Sequence, residues 1–403
     1  MKLNGNLQGV DINAALGSDR PEEVDDGSLD LLVLGSDSRS GDNGKYGRDE
    51  GAARSDTAMV VHLHEGRKKA TVVSIPRDTL VTRPDCAAED GSTVSGGQRQ
   101  MFNTAYEAGG LTCAVKTVEQ MSGIRMDHYL EVDFSGFQEI IDRLGGVEIT
   151  TGKAIDDDKS GLHLDQGTHT LDGEQSLGLV RTRHGVGDGS DLGRIQLQQT
   201  FLTALMHRVQ DMGLLSSPKK LYGVADASTR SLTTDAELDS VPALLDFARG
   251  LKGLKPEGME MLTLPVEYDA ANANRVLPQE KAGAQVWKAL RADKAVPASA
   301  TEGSAGDKAD IDDVVSAELA AGAGVGAGAP GVTDGLKRRP GCSSASSASR
   351  AGFWAQVGEL GVAWEYPGPY PGFGRCGGPW QTGLSAPVHV CANRVCDPAP
   401  SRN

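Results

Sequence analysis

The stretch SLDLLVLGSDSR, residues 28–39, decides the fold class. Its first seven residues form a short apolar run that predicts a buried β-strand, and small and charged residues follow where this strand ends. Two β-branched runs come next, TAMVVHL at 57–63 and ATVVSI at 70–75, separated by a turn that contains Gly66. This pattern predicts a β-hairpin beside the first strand.

The rest of the first 294 residues alternates helical and strand patterns. Apolar spacing predicts helices at 112–121, 134–144, from 172 onward, 195–209, 235–249 and 278–291, and strands at 147–149 and 259–264. Such alternation is typical of an α/β fold. We therefore predict a central, mostly twisted β-sheet flanked by helices (α-β-α) in a single catalytic domain, followed by a flexible C-terminal tail.

Composition divides the chain into four segments. Residues 1–27 are a lead-in, and residues 28–294 are the predicted catalytic domain. Residues 295–352 are rich in small residues, which is typical of a low-complexity linker. Residues 353–403 combine Gly, Pro and aromatic residues without a period, so we expect a tail that is disordered or unlike a native domain. A chain that ends near Ala300 is predicted to fold and work like the full one.

Charge and hydropathy exclude some classes of protein. The 403 residues include 40 Lys and Arg against 55 Asp and Glu, a net charge of −15, which argues against sequence-blind binding of nucleic acid. No run approaches the roughly 20 apolar residues that a membrane helix needs. An anionic substrate would therefore have to bind at a local basic cluster.

Four clusters of polar and charged residues lie at the edges of predicted strands or helices: Asp37 with Arg39; Arg54, Ser55 and Asp56; Arg77 with Asp78; and Arg181, Arg183 and Arg194. In an extended segment residues two apart share a face, so Arg181 and Arg183 could hold one phosphate together. The alternative is a set of solvated arginines paired with local acids such as Asp188 and Asp191.

Asp37 and Asp56 flank the first two strands and could meet if these strands are neighbours. Two carboxylates beside a phosphate site favour Mg²⁺, although each could instead be a turn former or a cap. His62 and His64 share a strand face, but no third ligand is evident, and we interpret them as exposed strand residues.

Cys86 and Cys113 flank a polar, Gly-rich loop at 87–100. In an oxidising compartment they would form a disulfide, which is our prediction, and otherwise they would be two free buried thiols.

Seven strings in this order resemble the LytR-CpsA-Psr family of cell-wall assembly enzymes, of actinobacterial type. They are LDLLVLGSDSR (29–39), RSDTAM (54–59), SIPRDT (74–79), FNTAYEAGG (102–110), LGGVEI (144–149), LDGEQSLGLVRTRH (171–184) and DLGRIQLQQ (191–199). Many family members carry an arginine where this chain has Leu197.

The resemblance implies a Mg²⁺-dependent phosphotransferase that moves a glycopolymer from a polyprenyl-pyrophosphate carrier onto peptidoglycan and releases polyprenyl phosphate. It implies Asp37 and Asp56 as magnesium ligands and catalytic residues. The same resemblance implies that the catalytic arginines grip the pyrophosphate and that further residues in matching motifs contact the lipid carrier: Arg77, Arg181, Arg183 and Arg194, with Arg39, Arg54 and Gln198.

The resemblance also implies an extracytoplasmic enzyme at the membrane surface, normally anchored by an N-terminal helix that is missing from this chain. Two alternatives stay open. One is a Mg²⁺-dependent hydrolase that only cleaves the lipid pyrophosphate, and the other is a non-catalytic regulator that binds the lipid carrier or a polysaccharide.

Overall fold

The computed structural model describes residues 8–18, 20–36, 55–88, 90–183, 186, 189–228, 232–307 and 315–317. They belong to one compact unit, Met1–Ala327, and a second unit, Gly328–Asn403, lies outside the described residues. The described chain has a mixed α/β fold with a central mixed sheet flanked by helices, which confirms the predicted fold class. The predicted tail at 353–403 also lies outside these residues.

The strands are β1 (Gln8–Val10), β2 (Leu29–Ser36), β3 (Ser55–Leu63), β4 (Ala70–Ser74), β5 (Leu80–Arg83), β6 (Cys86–Ala87), β7 (Thr93–Val94), β8 (Gly97–Met101), β9 (His128–Asp133), β10 (Val147–Thr151), β11 (Ile155–Asp157), β12 (Leu162–Leu164), β13 (Gly167–Leu171), β14 (Leu232–Asp235), β15 (Met259–Thr263), β16 (Val266–Asp269), β17 (Asn272–Pro278) and β18 (Val315–Ser316). The α-helices are α1 (Ile12–Leu16), α2 (Asn103–Ser122), α3 (Phe134–Arg143), α4 (Gly173–Arg181), α5 (Asp191–Asp211), α6 (Pro218–Ser228), α7 (Val241–Gly250) and α8 (Glu280–Leu290).

A seven-stranded sheet of order β1-β14-β9-β2-β3-β4-β15 forms the centre of the unit. β2 runs parallel to β9 and antiparallel to β3, and β3 runs antiparallel to β4, so the predicted hairpin is confirmed. Ser36 at the end of β2 pairs with Ser55 at the start of β3. The two strands that the sequence analysis expected to be neighbours therefore are neighbours.

Helices cover both faces of this sheet, because successive side chains of a strand point to opposite faces and apolar residues occur on both. On one face, Leu32 of β2 and Val60 of β3 pack with Val115 of α2 and Trp287 of α8. On the other face, Leu31 lies in a smaller cluster with residues from α5 and α7. A third cluster joins α4 and α5 to the strands β10 to β13. Strand pairing and packing against these helices therefore hold the ends of β2, β3 and β4 side by side.

The folded unit is longer than the predicted domain 28–294. On the N-terminal side β1 pairs with β14, and on the C-terminal side Val296 and Ala300 are buried in the main core. Further on, β18 pairs with β10. Short segments of small residues show no helical or strand period of apolar residues. The sequence alone therefore did not indicate that contacts with distant parts of the chain bury them. A cut near Ala300 would remove β18 and its pairing with β10, so the structure argues against a domain boundary there.

Helix α2 begins nine residues before the predicted start at 112. Gly109 and Gly110 interrupt it with non-helical backbone, and Gly110 has φ +60°. The sequence analysis recognised only the segment after this interruption.

A disulfide joins Cys86 to Cys113, which confirms the predicted pairing over free thiols. It connects β6 to α2 across the loop that the sequence analysis identified. Among the described residues, none of the helices combines the length and the apolarity that crossing a bilayer requires.

Candidate functional site

A cavity of about 560 Å³ lies where β3 begins, β4 has ended and α5 begins. The hairpin of β16 and β17 forms another of its walls. The charged and amide side chains that line it are Asp56, Arg77, Asp78, Asn103, Arg183, Asp191, Asn274 and Arg275.

Asp56, the second residue of β3, lies between two arginines from different segments. Its carboxylate forms an ion pair with Arg77, and its backbone carbonyl accepts a hydrogen bond from Arg194 at 2.9 Å. Burial disfavours the charged form of Asp56, but Arg77 and Arg194 outweigh burial and hold the pKa of this carboxyl below its usual range. Asp56 is therefore an anion at neutral pH.

Asp191 connects the arginines to one another. It is the first residue of α5, after the N-cap Ser190. Its Oδ1 lies 2.6 Å from a terminal nitrogen of Arg194, 3.2 Å from one of Arg183 and 3.6 Å from Nε of Arg77. We call Arg77, Arg183, Arg194, Asp56 and Asp191 the arginine cluster.

The arginine cluster is not a set of solvated side chains. The side chain of Arg194 is 5% exposed, and burial lowers the pKa of its guanidinium. Burial also opposes the charge of Arg77, but Asp56 and Asp191 raise the pKa of that group above its ordinary value. The alternative interpretation is confirmed in that Asp191 pairs with these arginines, but Arg194 is buried and not solvated, and Asp188 lies outside the described residues.

Several buried polar atoms of this region make no hydrogen bond within the part of the chain that the structure describes: Arg77 Nε, Arg194 Nε, Asn103 Oδ1 and Asp191 Oδ2. Buried polar groups in proteins are normally satisfied, so these atoms need a ligand, an ion or water. The donors suit an anion. The two oxygens belong to the ligand type that Mg²⁺ prefers, so the residues present fit a magnesium ion.

Arg181 does not share an extended face with Arg183, contrary to the prediction. It is the last residue of α4, and its guanidinium lies over the ring of Phe134 at 4.8 Å from the centroid. Arg183 follows the helix and lines the cavity. The capping box of Asp172 and Gln175 starts helix α4, which includes Arg181 and ends before Arg183. The two arginines therefore do not lie in one extended segment.

Gln198 is buried, and its amide donates hydrogen bonds to Thr57 Oγ1 and to the carbonyl of Val180, both at 3.0 Å. It joins β3 to α4. Leu197 beside it is fully buried in an apolar cluster. Asp37, Arg39 and Arg54 lie outside the described residues.

The cavity is also lined by residues that the sequence analysis did not single out, among them Asn103, Tyr268 and Arg275. Asn103 belongs to a quoted motif, FNTAYEAGG, and could have been singled out there. Arg275 forms an ion pair with Asp78 at 3.2 Å. Nothing in the sequence near Arg275 or Tyr268 indicated a site, because only the fold brings that hairpin to the cavity.

Comparison with known proteins identifies a family and several relatives of the chain. The model of the LytR_cpsA_psr family matches residues 1–292. The cell wall biosynthesis protein LcpA of Corynebacterium glutamicum is 33% identical over 266 residues, covering 60% of this chain and 50% of LcpA. The chain thus spans about half the length of that relative. The polyisoprenyl-teichoic acid–peptidoglycan teichoic acid transferase TagT of Bacillus subtilis is also 33% identical over 266 residues, covering 63% of this chain and 76% of TagT.

Solved structures show the same fold. The crystal structure of B. subtilis TagV has a TM-score of 0.52 at 25% identity and covers 67% of this chain and 98% of TagV. A LytR-Csp2A-Psr enzyme from Actinomyces oris has a TM-score of 0.51 at 21% identity, covering 71% of this chain and 96% of its own, and supports the fold alone.

Proposed function

We propose that this chain, which belongs to the LytR_cpsA_psr family, transfers a glycopolymer from a polyprenyl-pyrophosphate carrier onto peptidoglycan and releases polyprenyl phosphate. The observation that carries the proposal is the arginine cluster. Three guanidinium groups from separate segments converge on one carboxylate beside a cavity of about 560 Å³. The name of TagT, a transferase of teichoic acid to peptidoglycan, supports the same reaction class.

The reaction joins an acceptor hydroxyl to the phosphorus that carries the glycopolymer. The new bond is oxygen to phosphorus, and the bond that breaks is the bridging P–O bond, so polyprenyl phosphate leaves with the bridging oxygen. Negative charge on the pyrophosphate repels the attacking oxygen and grows on the leaving group. Guanidinium forks match phosphate oxygens in pairs and keep their charge at any working pH. Arg77 and Arg183 line the cavity and would hold these oxygens.

Magnesium belongs to the proposal. Asp56 would hold the ion, together with Asp37, which lies outside the described residues. When bound, the ion would neutralise phosphate charge and orient the leaving group. The lowered pKa keeps Asp56 charged at neutral pH. A carboxylate with a low pKa binds a metal ion well but accepts a proton poorly, which suits the role of ligand.

The location that we propose is extracytoplasmic, at the membrane surface where the lipid carrier and peptidoglycan meet. The Cys86–Cys113 disulfide supports it, because disulfides persist in oxidising compartments and are rare in the cytosol.

Product analysis tests the function. The full chain is incubated with Mg²⁺, a polyprenyl-pyrophosphate-linked saccharide and a peptidoglycan fragment, and the products that carry the sugar are identified by mass spectrometry. Saccharide joined to peptidoglycan through a phosphodiester is the expected result. Free saccharide phosphate alone would show the hydrolase, and binding without turnover would show the regulator. Either result would contradict the proposal.

A conservative variant tests the role of the arginine cluster. Arg77→Lys keeps the charge and loses the planar fork, so we expect turnover to fall about ten- to a hundredfold, the effect of about 1.5–3 kcal/mol for a charge-assisted contact. Arg249→Lys is the matched control, because Arg249 is half exposed and pairs with Asp246 on the surface of α7. Equal turnover of the two variants would contradict the assignment.

A further inference from the structure

Two histidines and an aspartate meet at the end of β3 opposite to the cavity. His62 Nε2 lies 3.1 Å from Asp293 Oδ1, and His64 Nδ1 lies 2.6 Å from the same oxygen. We call His62, His64 and Asp293 the histidine cluster. His62 is six residues beyond Asp56 on β3, or about 20 Å along the strand, so this cluster is separate from the arginine cluster.

The structure corrects the interpretation of these histidines as exposed strand residues without a third ligand. The side chain of His62 is 1% exposed and that of His64 is 15% exposed. The third group, Asp293, is 20% exposed and follows α8. Asp293 has φ +48°, in the left-handed region that aspartate tolerates better than most residues. A position 231 residues away from His62 could not be paired with it from the sequence.

The ring nitrogen of each histidine that faces away from Asp293 lies within hydrogen-bond distance of a polar side chain. His62 Nδ1 lies 2.8 Å from Asp30 Oδ1, and His64 Nε2 lies 3.0 Å from Thr71 Oγ1, which in turn donates to Glu260. Asp30, His62, Thr71 and Glu260 are register partners on four adjacent strands. The sheet therefore fixes both ring orientations.

One tautomer carries the proton on His62 Nδ1, facing Asp30, and on His64 Nε2, facing Thr71. This tautomer leaves lone pairs on the two inner nitrogens, which together with the carboxylate of Asp293 are three ligand atoms for one cation. The competing arrangement has a proton on each inner nitrogen, donated to Asp293, and the measurements below distinguish the two.

The surrounding charge also favours a cation. Asp30 lies against His62, Asp293 lies against both histidines, and Glu260 accepts a hydrogen bond from Thr71 behind His64.

We propose that His62 Nε2, His64 Nδ1 and Asp293 bind a Zn²⁺ ion that ties the segment after α8 to β3. One ligand atom from each residue lies within 4.8 Å of the others, a spacing that an ion with bonds of about 2.0–2.2 Å can bridge once the present hydrogen bonds open. Two imidazoles and one carboxylate suit Zn²⁺ better than Mg²⁺ or Ca²⁺, which prefer oxygen ligands. Water would complete the tetrahedron. Hydrogen bonds from the outer ring nitrogen to a carboxylate or other acceptor are typical of histidine–zinc sites.

A second group of the same residue types gives a matched control. Asp156, Asp158 and His163 also lie within 4.8 Å of one another, but their side chains are 81%, 99% and 57% exposed. This group contains one imidazole instead of two, and its acids are free to move in water. We expect it to bind zinc only weakly.

The test measures zinc on the untagged full chain, stripped of metal by a chelator. Zinc is titrated at mildly alkaline pH against a chromophoric competitor, so that protons compete little for the imidazoles. We expect one tight Zn²⁺ per chain, weakened at least a hundredfold by His64→Gln or Asp293→Asn and about ten- to a hundredfold by Thr71→Val. His163→Gln should leave the affinity unchanged. Co²⁺ in place of Zn²⁺ should give the visible absorption of a four-coordinate ion.

Several results would overturn the proposal. Wild-type protein that binds no more zinc than Asp293→Asn would show that protons, not a metal ion, hold the cluster together. Equal loss in His163→Gln would assign the zinc to the exposed group. If circular dichroism shows that His64→Gln does not fold, Asp293→Asn and Thr71→Val decide the question, since Thr71→Val keeps the shape of a buried side chain. None of these measurements depends on the proposed transferase activity.

Discussion

The two ends of strand β3 differ in the sign of their charge. At the first end, four guanidinium groups meet three carboxylates around the cavity: Arg77, Arg183, Arg194 and Arg275 with Asp56, Asp78 and Asp191. At the other end, Asp30 contacts the histidine cluster and Glu260 lies behind Thr71. We propose an anion as the ligand of the first end and a cation as the ligand of the second, although one strand carries both.

The largest effect should come from Asp191→Asn, which removes the charge that holds three arginines together. We expect turnover of the lipid-linked saccharide to fall about a hundredfold or more, because the guanidinium groups then repel one another in a partly buried site. Zinc affinity at the other end should not change. Asp246→Asn, at a surface ion pair of α7, is the control and should shift the free energy of unfolding by less than about 1 kcal/mol. Weaker zinc binding by Asp191→Asn would contradict the independence of the two ends of β3.

A smaller effect is expected from His128→Gln, at a histidine that pairs with a single carboxylate. His128 Nδ1 lies 3.1 Å from Asp235 Oδ2. Burial opposes the charge of His128, but Asp235 outweighs it, assisted by Glu237 and Asp127, and raises the pKa above the ordinary 6.5. The stability that this ion pair contributes is therefore fully present below about pH 6.5 and is lost as pH rises through the raised pKa.

Urea unfolding of wild type and His128→Gln across pH measures this contribution. The difference in unfolding free energy should be about 1 kcal/mol near pH 6 and should vanish in alkaline solution. In acid it should also decline as pH falls through the lowered pKa of Asp235. Zinc should leave the difference unchanged, in contrast to its effect on the histidine cluster. A difference that grows with pH would contradict the ion pair.

The smallest effect should follow removal of residues 328–403. The compact unit ends at Ala327, and both ends of β3 lie within it. A chain that ends at Ala327 should keep its melting temperature, its turnover and its zinc affinity. A chain that ends at Ala300 should melt at a lower temperature, because it loses Val315 of β18 from a buried cluster. Equal melting temperatures of the two truncated chains would show that β18 adds nothing.

The sequence predicted the arginine end better than the histidine end. Arg77, Arg183 and Arg194 stand in local motifs, and the strands that bring the motifs together have strong apolar patterns. Arg181 was misplaced because the exact end of a helix depends on one turn of backbone.

The histidine end depends on contacts that no local pattern contains. Alternation shows that His62 and His64 share a face, but not that Asp293, after α8, covers that face. Arg275 reaches the cavity in the same nonlocal way, through an ion pair with Asp78. Side chains that are about 200 residues apart in sequence are brought together by tertiary packing, which the periodicity of apolar residues does not reveal.

The hairpin of β16 and β17 contributes Tyr268 and Arg275 to the cavity, yet it stands outside the main sheet. Its residues share no motif with the arginine cluster, and Tyr268 is 49% exposed. Exposed side chains of this wall, such as Tyr268, can therefore vary more freely than Arg275, which pairs with Asp78 beside Arg77. Under the proposed function, such exposed positions are the ones to exchange between relatives when a different polymer or acceptor is wanted.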